Sequence, residues 1–153
     1  MIAAVSLYDV VLWLHITAVV TAFGALFAYP LFLRGNAAAP IGERAGLHRL
    51  QIAFSRRVTG PAIGVILLAG VYLATDADVW DEAWVTIPFV LLLVIAGLGV
   101  TVLRRGEERL LASAEAGDEP TYARALAGVR RWTYVVLGLV VVTIFVMTAK
   151  PFA

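Results

Sequence analysis

Few residues in this chain have side chains suited to chemistry, and His15 is the one whose setting matters most. It lies inside the first long apolar run, about two turns from that run's start. Ionisable groups at membrane depth are rare and mark functional positions by default. An imidazole there can ligate haem iron or a transition metal, or relay a proton. The plain alternative is a neutral histidine bonded to a carbonyl or threonine of a neighbouring helix. Counting back along an antiparallel fourth run puts Thr143 and Met147 near the depth of His15, with Tyr72 and Thr86 somewhat nearer the same end. Met147 is the residue that could complete a His/Met iron pair, although ordinary packing is the commoner role of a lone methionine. Lys150 closes the fourth run. There it snorkels to headgroups or holds an anionic group such as a porphyrin propionate. His48, set among Arg44, Arg49 and Gln51, reads as a solvated surface histidine.

The rest of the inventory excludes more than it suggests. There is no cysteine, which removes disulfides, thiolate metal sites, iron–sulfur clusters and thiol redox chemistry. Two methionines and two histidines are poor provision for a copper conduit, which needs soft ligands. No P-loop, GxGxxG or HExxH pattern occurs, and no carboxylate pair lies within an apolar run, as a proton-driven carrier would require.

The elements that must position these residues are membrane spans. The 153 residues are 61% hydrophobic, with a mean hydropathy of +0.90. A water-soluble domain of this size does not carry that much apolar content. Four runs are long enough to cross a hydrocarbon core, at about residues 7–33, 58–74, 84–103 and 132–149, each near the roughly 20 residues a span needs. They use up the chain as one domain. Of its 12 basic residues, five (Arg34, Arg44, Arg49, Arg56, Arg57) lie between the first and second runs. Six more (Arg104, Arg105, Arg109, Arg124, Arg130, Arg131) lie between the third and fourth. The segment between the second and third has none and carries Asp76, Asp78, Asp81 and Glu82. By the positive-inside rule the two basic segments are cytoplasmic and both termini lie outside. The expected fold is all-α, a polytopic four-transmembrane-helix bundle, N-out and C-out.

Local signals refine that expectation. Gly35 to Pro40 reads as a turn. Residues 41–57 read as an amphipathic cytoplasmic helix on the membrane surface, its apolar stripe being Leu47, Leu50, Phe54 and Val58. Asp9 favours the start of the first helix. Gly117-Asp118-Glu119-Pro120 breaks the third helix, with Asp118 placed to cap the next near Pro120. Arg56 and Arg57 at the inner mouth of the second span suit lipid phosphates. The absence of a basic residue before Asp9, and the length of the first run, argue for a retained span over a cleaved signal. The net charge of +1, with its basic residues where topology wants them, gives no indication of nucleic-acid binding. Eleven arginines to one lysine, with abundant Ala, Val, Leu and Gly, suggest a GC-rich bacterial source and hence the cytoplasmic (inner) membrane.

The run Trp13-Leu14-His15-Ile16 through Phe23-Gly24-Ala25-Leu26-Phe27-Ala28-Tyr29-Pro30 resembles the first span of the HemJ-type protoporphyrinogen oxidases. It also resembles the copper-resistance protein D family and a related family of uncharacterised predicted integral membrane proteins. The stretch from Leu47 through Thr59-Gly60-Pro61-Ala62 to Leu73 is similar to their second helix. Arg131-Trp132 and Lys150-Pro151-Phe152 are similar to the HemJ-type C-terminal span. The resemblance implies haem b, with His15 at the position of an essential first-span histidine. HemJ-type enzymes also carry a lysine early in the third span and an arginine just after the first-span proline. Here the third span opens Trp84-Val85-Thr86-Ile87-Pro88-Phe89, and Leu31 follows Pro30, with Arg34 three positions later. Two of three functional residues are absent. The chain therefore fits the uncharacterised branch, and the oxidase activity is not carried over with the resemblance.

Three functions follow as expectations. The first is a small membrane protein binding haem b through His15, with Met147 and Lys150 as accessory contacts, for electron transfer or porphyrin handling. The second is a non-catalytic accessory or assembly subunit of a larger membrane complex. The third, disfavoured by ligand poverty, is a copper or small-solute permease. The lipid bilayer is the expected partner, together with a second copy or a larger complex, since Gly60 and Gly64 form a small-xxx-small pair.

Overall fold

Ser6 and Asp9 set the first helix. The Asp9 amide donates to Ser6 Oγ at 3.2 Å while the Ser6 amide donates to the Asp9 carboxylate at 2.9 Å. This reciprocal cap satisfies two helix-end donors and places negative charge at the positive end of the dipole. The structure, a computed structural model, describes residues 5–151; Phe152 of the C-terminal resemblance lies outside them. Helix α1 runs Leu7–Ala38 and carries Pro30 within it. The turn expected from Gly35 starts later, at Ala39, because the helix continues through Asn36, which is buried, and two further alanines. Helix α2 is Ile41–Phe54. It passes without a break through a π-helical turn, Ser55–Thr59, into α3, Gly60–Asp76. Helix α4, Ala83–Leu98, passes through a second π-helical turn, Gly99–Leu103, into α5, Arg104–Glu115. Gly117 ends that rod in the left-handed conformation at φ 66°. Asp118 Oδ1 then accepts from the Thr121 amide at 3.0 Å and caps α6, Glu119–Ala149, where the sequence places the break and the cap.

Four continuous rods result, and each is long and apolar enough to cross a membrane. Among the described residues there is no strand. At 1.5 Å per residue the rods are about 46–54 Å long against a hydrocarbon core of about 30 Å. Each therefore overhangs the bilayer, and the overhang falls at the end bearing the two arginine-rich segments. In the apolar half α1 packs on α3 and α4 on α6; at the basic end α2 packs on α5 and α5 on α6. Two separate cores follow that division. One holds Ala18, Ala22, Ile66, Leu92, Ile95 and Val140. The other, at the basic end, holds Tyr29, Leu33, Leu110, Ala114, Tyr122 and Val129. At Gly106 α5 packs tightly on α6, since a Cβ there would stand 2.4 Å from Val129 Cγ2.

The bundle's exterior is apolar. Only 17–28% of each span's most apolar window is buried inside the protein, and Leu68, Leu31 and Val20 face outward. Surface of that kind is stable against lipid, where every backbone polar group must be satisfied within the helices themselves. The same environment bears on α2, expected to be an amphipathic helix on the membrane surface. On α2 the stripe of Leu47, Leu50 and Phe54 is the exposed face, while Ala45 and His48 are the buried positions. The helix packs on α5 through the face that looked polar and presents its leucines outward.

Candidate functional site

The basic end contains a buried polar cluster built from four helices. His48 on α2 is fully buried, which corrects its reading as a solvated residue. Its Nδ1 lies 2.9 Å from Glu107 Oε2 on α5, and its Nε2 lies 3.0 Å from the Tyr122 hydroxyl on α6. The other carboxyl oxygen, Glu107 Oε1, accepts from the hydroxyl of Tyr29 on α1. Glu107, Tyr122 and Tyr29 are likewise buried. The chain Tyr29–Glu107–His48–Tyr122 thus ties one side chain from each rod into a single hydrogen-bonded line.

Local sequence explains each placement. On α5, Glu107 shares a stripe with Leu110 and Ala114, all buried, at the three- and four-residue spacing that defines one helix face. On α2, Ala45 and His48 recur at three residues on the face toward α5. The small Ala45 and Gly106 let the backbones approach. At the rim Arg44 lies over the Tyr122 ring, its guanidinium carbon 4.7 Å from the centroid, and pairs with Glu119 at 2.9 Å.

The electrostatics favour a pair that carries no net charge. His48 and Glu107 lie outside the apolar stretches read as spans. Burial raises the Glu107 carboxyl from its ordinary 4.5 to about 7. Burial, with Arg44 adding to it, pushes the His48 imidazole below its ordinary value. Two proton placements along the 2.9 Å Nδ1–Oε2 contact keep the pair neutral overall. In one, Glu107 is protonated and donates to Nδ1; in the other, His48 is protonated and donates to the carboxylate. Both leave His48 Nε2–H to donate to Tyr122, so every buried polar atom of the pair is satisfied in either state. Chemically, the cluster can hold one proton and shift it between two helices.

The second location is in the apolar half. His15 projects from α1 toward α3, where a Cβ on Gly70 would stand 3.3 Å from its Cε1 and 3.7 Å from its Nδ1. Glycine at 70 therefore makes the seat for the ring. Nδ1 is buried with no hydrogen-bond partner, alone among the buried side-chain polar atoms of the described residues. The Ile66 carbonyl lies beside the ring. Thr143, expected near the same depth, is buried and donates to the Leu139 carbonyl of its own helix at 2.8 Å. Met147 is one turn nearer the end of α6 and more than a third exposed. Lys150 takes a left-handed conformation at φ 45° and holds its Nζ 4.0 Å from the centre of the Trp84 ring on α4. The three residues singled out from the sequence thus pack in three settings: His15 against α3, Lys150 against α4, and Met147 toward the exterior. Among the described residues no group of three or more His, Asp or Glu is arranged to hold a metal ion.

Comparison with known proteins adds one positive finding. A family model for predicted integral membrane proteins matches residues 9–151, which takes in both locations and all four rods. No curated protein and no solved structure matches the chain.

Proposed function

The chain belongs to the DUF2269 family of predicted integral membrane proteins, and from that footing we propose that it binds haem b through His15, in electron transfer or porphyrin handling. One observation carries the reading: a histidine in the apolar half whose buried Nδ1 has no partner in the protein and whose ring has a glycine seat on the next helix. An imidazole left unsatisfied in hydrocarbon is costly. Coordination through Nε2 would leave the proton on Nδ1, on the side of the ring seated at Gly70. The resemblance of the first span to HemJ-type proteins supports the same assignment. Haem, when bound, supplies one-electron redox chemistry at iron. The chain's residues would contribute a ring nitrogen of His15 and the seat for that ring at Gly70. Met147 would be the second ligand, and Lys150 the cation for a propionate.

The setting proposed is a bacterial cytoplasmic membrane, with the basic end inside and both termini outside, on the distribution of arginine. A reporter fused at residue 110 that reads as external would overturn that orientation.

The deciding measurement is an absorbance spectrum of detergent-purified protein from haem-replete cells, oxidised and dithionite-reduced, beside His15→Ala and Met147→Leu. The expected result is a Soret band that shifts on reduction, is lost in His15→Ala and is altered in Met147→Leu. A colourless wild-type protein would overturn the haem reading. If partner proteins then co-purified in fixed stoichiometry, the function would be that of an accessory or assembly subunit.

A further inference from the structure

A groove at the basic end, between α2 and α5, combines charge and apolar surface in a way neither location above uses. It has a volume of about 580 Å³ and is lined by Arg49, Ile52, Ala53, Arg56, Arg57 and Leu111. Its place in the fold follows from the sequence. Arg56 and Arg57 are the last charged residues before the apolar run that starts at Val58. They sit within the π-helical turn Ser55–Thr59. Successive residues of an α-helix are about 100° apart around its axis; the wider π turn fans neighbours less and is frequent at functional sites. Here it keeps two guanidinium stems on one side of the rod.

The charge in the groove is uncompensated. Arg44 pairs with Glu119, Arg49 with Glu115 and Arg104 with Glu108. Among the described residues no carboxylate lies within ion-pair distance of Arg56 or Arg57, and both are exposed. Arg49 brings a third guanidinium to the groove with its charge already met by Glu115 at 2.7 Å. Two free positive charges beside an apolar floor of Ile52, Ala53 and Leu111 suit an anion that is attached to hydrocarbon. Guanidinium forks match phosphate oxygens in pairs, and basic pockets at this depth between helices take lipid headgroups.

We propose that this groove is a bound-lipid site, in which Arg56 and Arg57 hold the phosphodiester of an anionic phospholipid while its upper acyl segment lies on Ile52, Ala53 and Leu111. The shared chemistry is a phosphate anion. The apolar floor and the start of the span at Val58 assign it to a lipid over free phosphate.

The test uses the full chain purified in detergent and titrated with phosphatidylglycerol, phosphatidylcholine or inorganic phosphate, with bound lipid counted by mass spectrometry of the intact protein. Wild type is expected to retain one phosphatidylglycerol in preference to phosphatidylcholine. Arg56→Gln/Arg57→Gln is expected to weaken that binding tenfold or more, while Arg56→Lys/Arg57→Lys, which keeps the charge but loses the paired fork, weakens it less. Arg130→Gln/Arg131→Gln removes the same charge from α6 at the same end and is expected to leave binding unchanged; far-UV circular dichroism confirms that each variant is folded. Equal loss in both Gln pairs would mean diffuse attraction, and equal retention in both would mean that the groove is not the site; either overturns the proposal. Displacement of phosphatidylglycerol by millimolar inorganic phosphate would reassign the groove to free phosphate and overturn the lipid assignment.

Discussion

Replacing Glu107 with glutamine tests whether the four-helix cluster holds its pair neutral, and the effect should show in the pH dependence of stability. Glutamine keeps the size and most of the hydrogen bonding of the carboxyl while removing its titration. In the folded protein burial raises the Glu107 carboxyl from 4.5 to about 7. Between those values the folded state holds a proton that the unfolded state has lost, so this group's stabilising contribution is full below 4.5 and lost as pH rises through about 7. A displacement of that size corresponds to roughly 3 kcal/mol at about 1.4 kcal/mol per pH unit. His48 works in the opposite sense. Its folded-state value is lowered by burial and by Arg44, so its contribution is present above the ordinary histidine value and lost as pH falls below it. In wild type the two slopes offset one another on the acid side. In Glu107→Gln only the histidine slope remains. The groups around the pair are the Tyr29 and Tyr122 hydroxyls and, at the rim, the ion pair of Arg44 with Glu119; the substitution alters none of these. Thermal unfolding in detergent, followed by far-UV circular dichroism from pH 5 to pH 8, makes the comparison. Between pH 8 and pH 5 about 2.5 kcal/mol of that contribution is gained, so at about 2–4 °C per kcal/mol for a chain of this size the variant should lose roughly 5–10 °C more than wild type on acidification. Parallel profiles for the two proteins would refute the reasoning, because they would show that Glu107 titrates as an ordinary carboxylate.

Two further substitutions probe the same end of the bundle. Tyr122→Phe removes the hydroxyl 3.0 Å from His48 Nε2 and leaves that nitrogen buried without a partner; the expected loss is about 1–3 kcal/mol, read as a lower unfolding temperature, and no loss would mean that water reaches the ring. Gly106→Ala forces a Cβ to within 2.4 Å of the present Val129 Cγ2 position, and Val129 is buried and β-branched, so about 1–3 kcal/mol of overpacking follows; pairing it with Val129→Ala should recover part of that stability, and a fully additive double variant would place the strain elsewhere.

The rods, and their ends apart from that of α1, were legible because each follows from residues close together in the chain. Four apolar runs gave the spans. Asp9, Gly117 and Asp118 act at the ends of the helices they terminate or cap. The cluster was not legible, because its bonds join residues far apart in sequence: His48 to Glu107 across 59 positions, and His48 to Tyr122 across 74. One signal was present. Glu107 stands on the same helical stripe as Leu110 and Ala114, so a carboxylate occupies a position that the periodicity assigns to the core. The π-helical turns were also hidden, since nothing in Ser55–Thr59 or Gly99–Leu103 distinguishes them from ordinary helix apart from an adjoining glycine.

The outward apolar face of α2 shows how the surrounding solvent changes what a pattern means. In water a stripe of Leu47, Leu50 and Phe54 would be the buried side, because apolar area gains by leaving water. Where a helix emerges from a bilayer that gain is absent on its outward face, and leucines can stay there at no loss. What the interior offers instead is close packing and a place where polar groups can bond to one another. His48 is drawn inward because Glu107 and Tyr122 meet both of its ring nitrogens there, and a lipid-facing imidazole would have no such partners. The same reasoning gives the unsatisfied nitrogen of His15 its weight. The chain supplies partners on both sides for one of its two histidines and leaves Nδ1 of the other without one, in the half of the bundle where an unmet polar group is most costly.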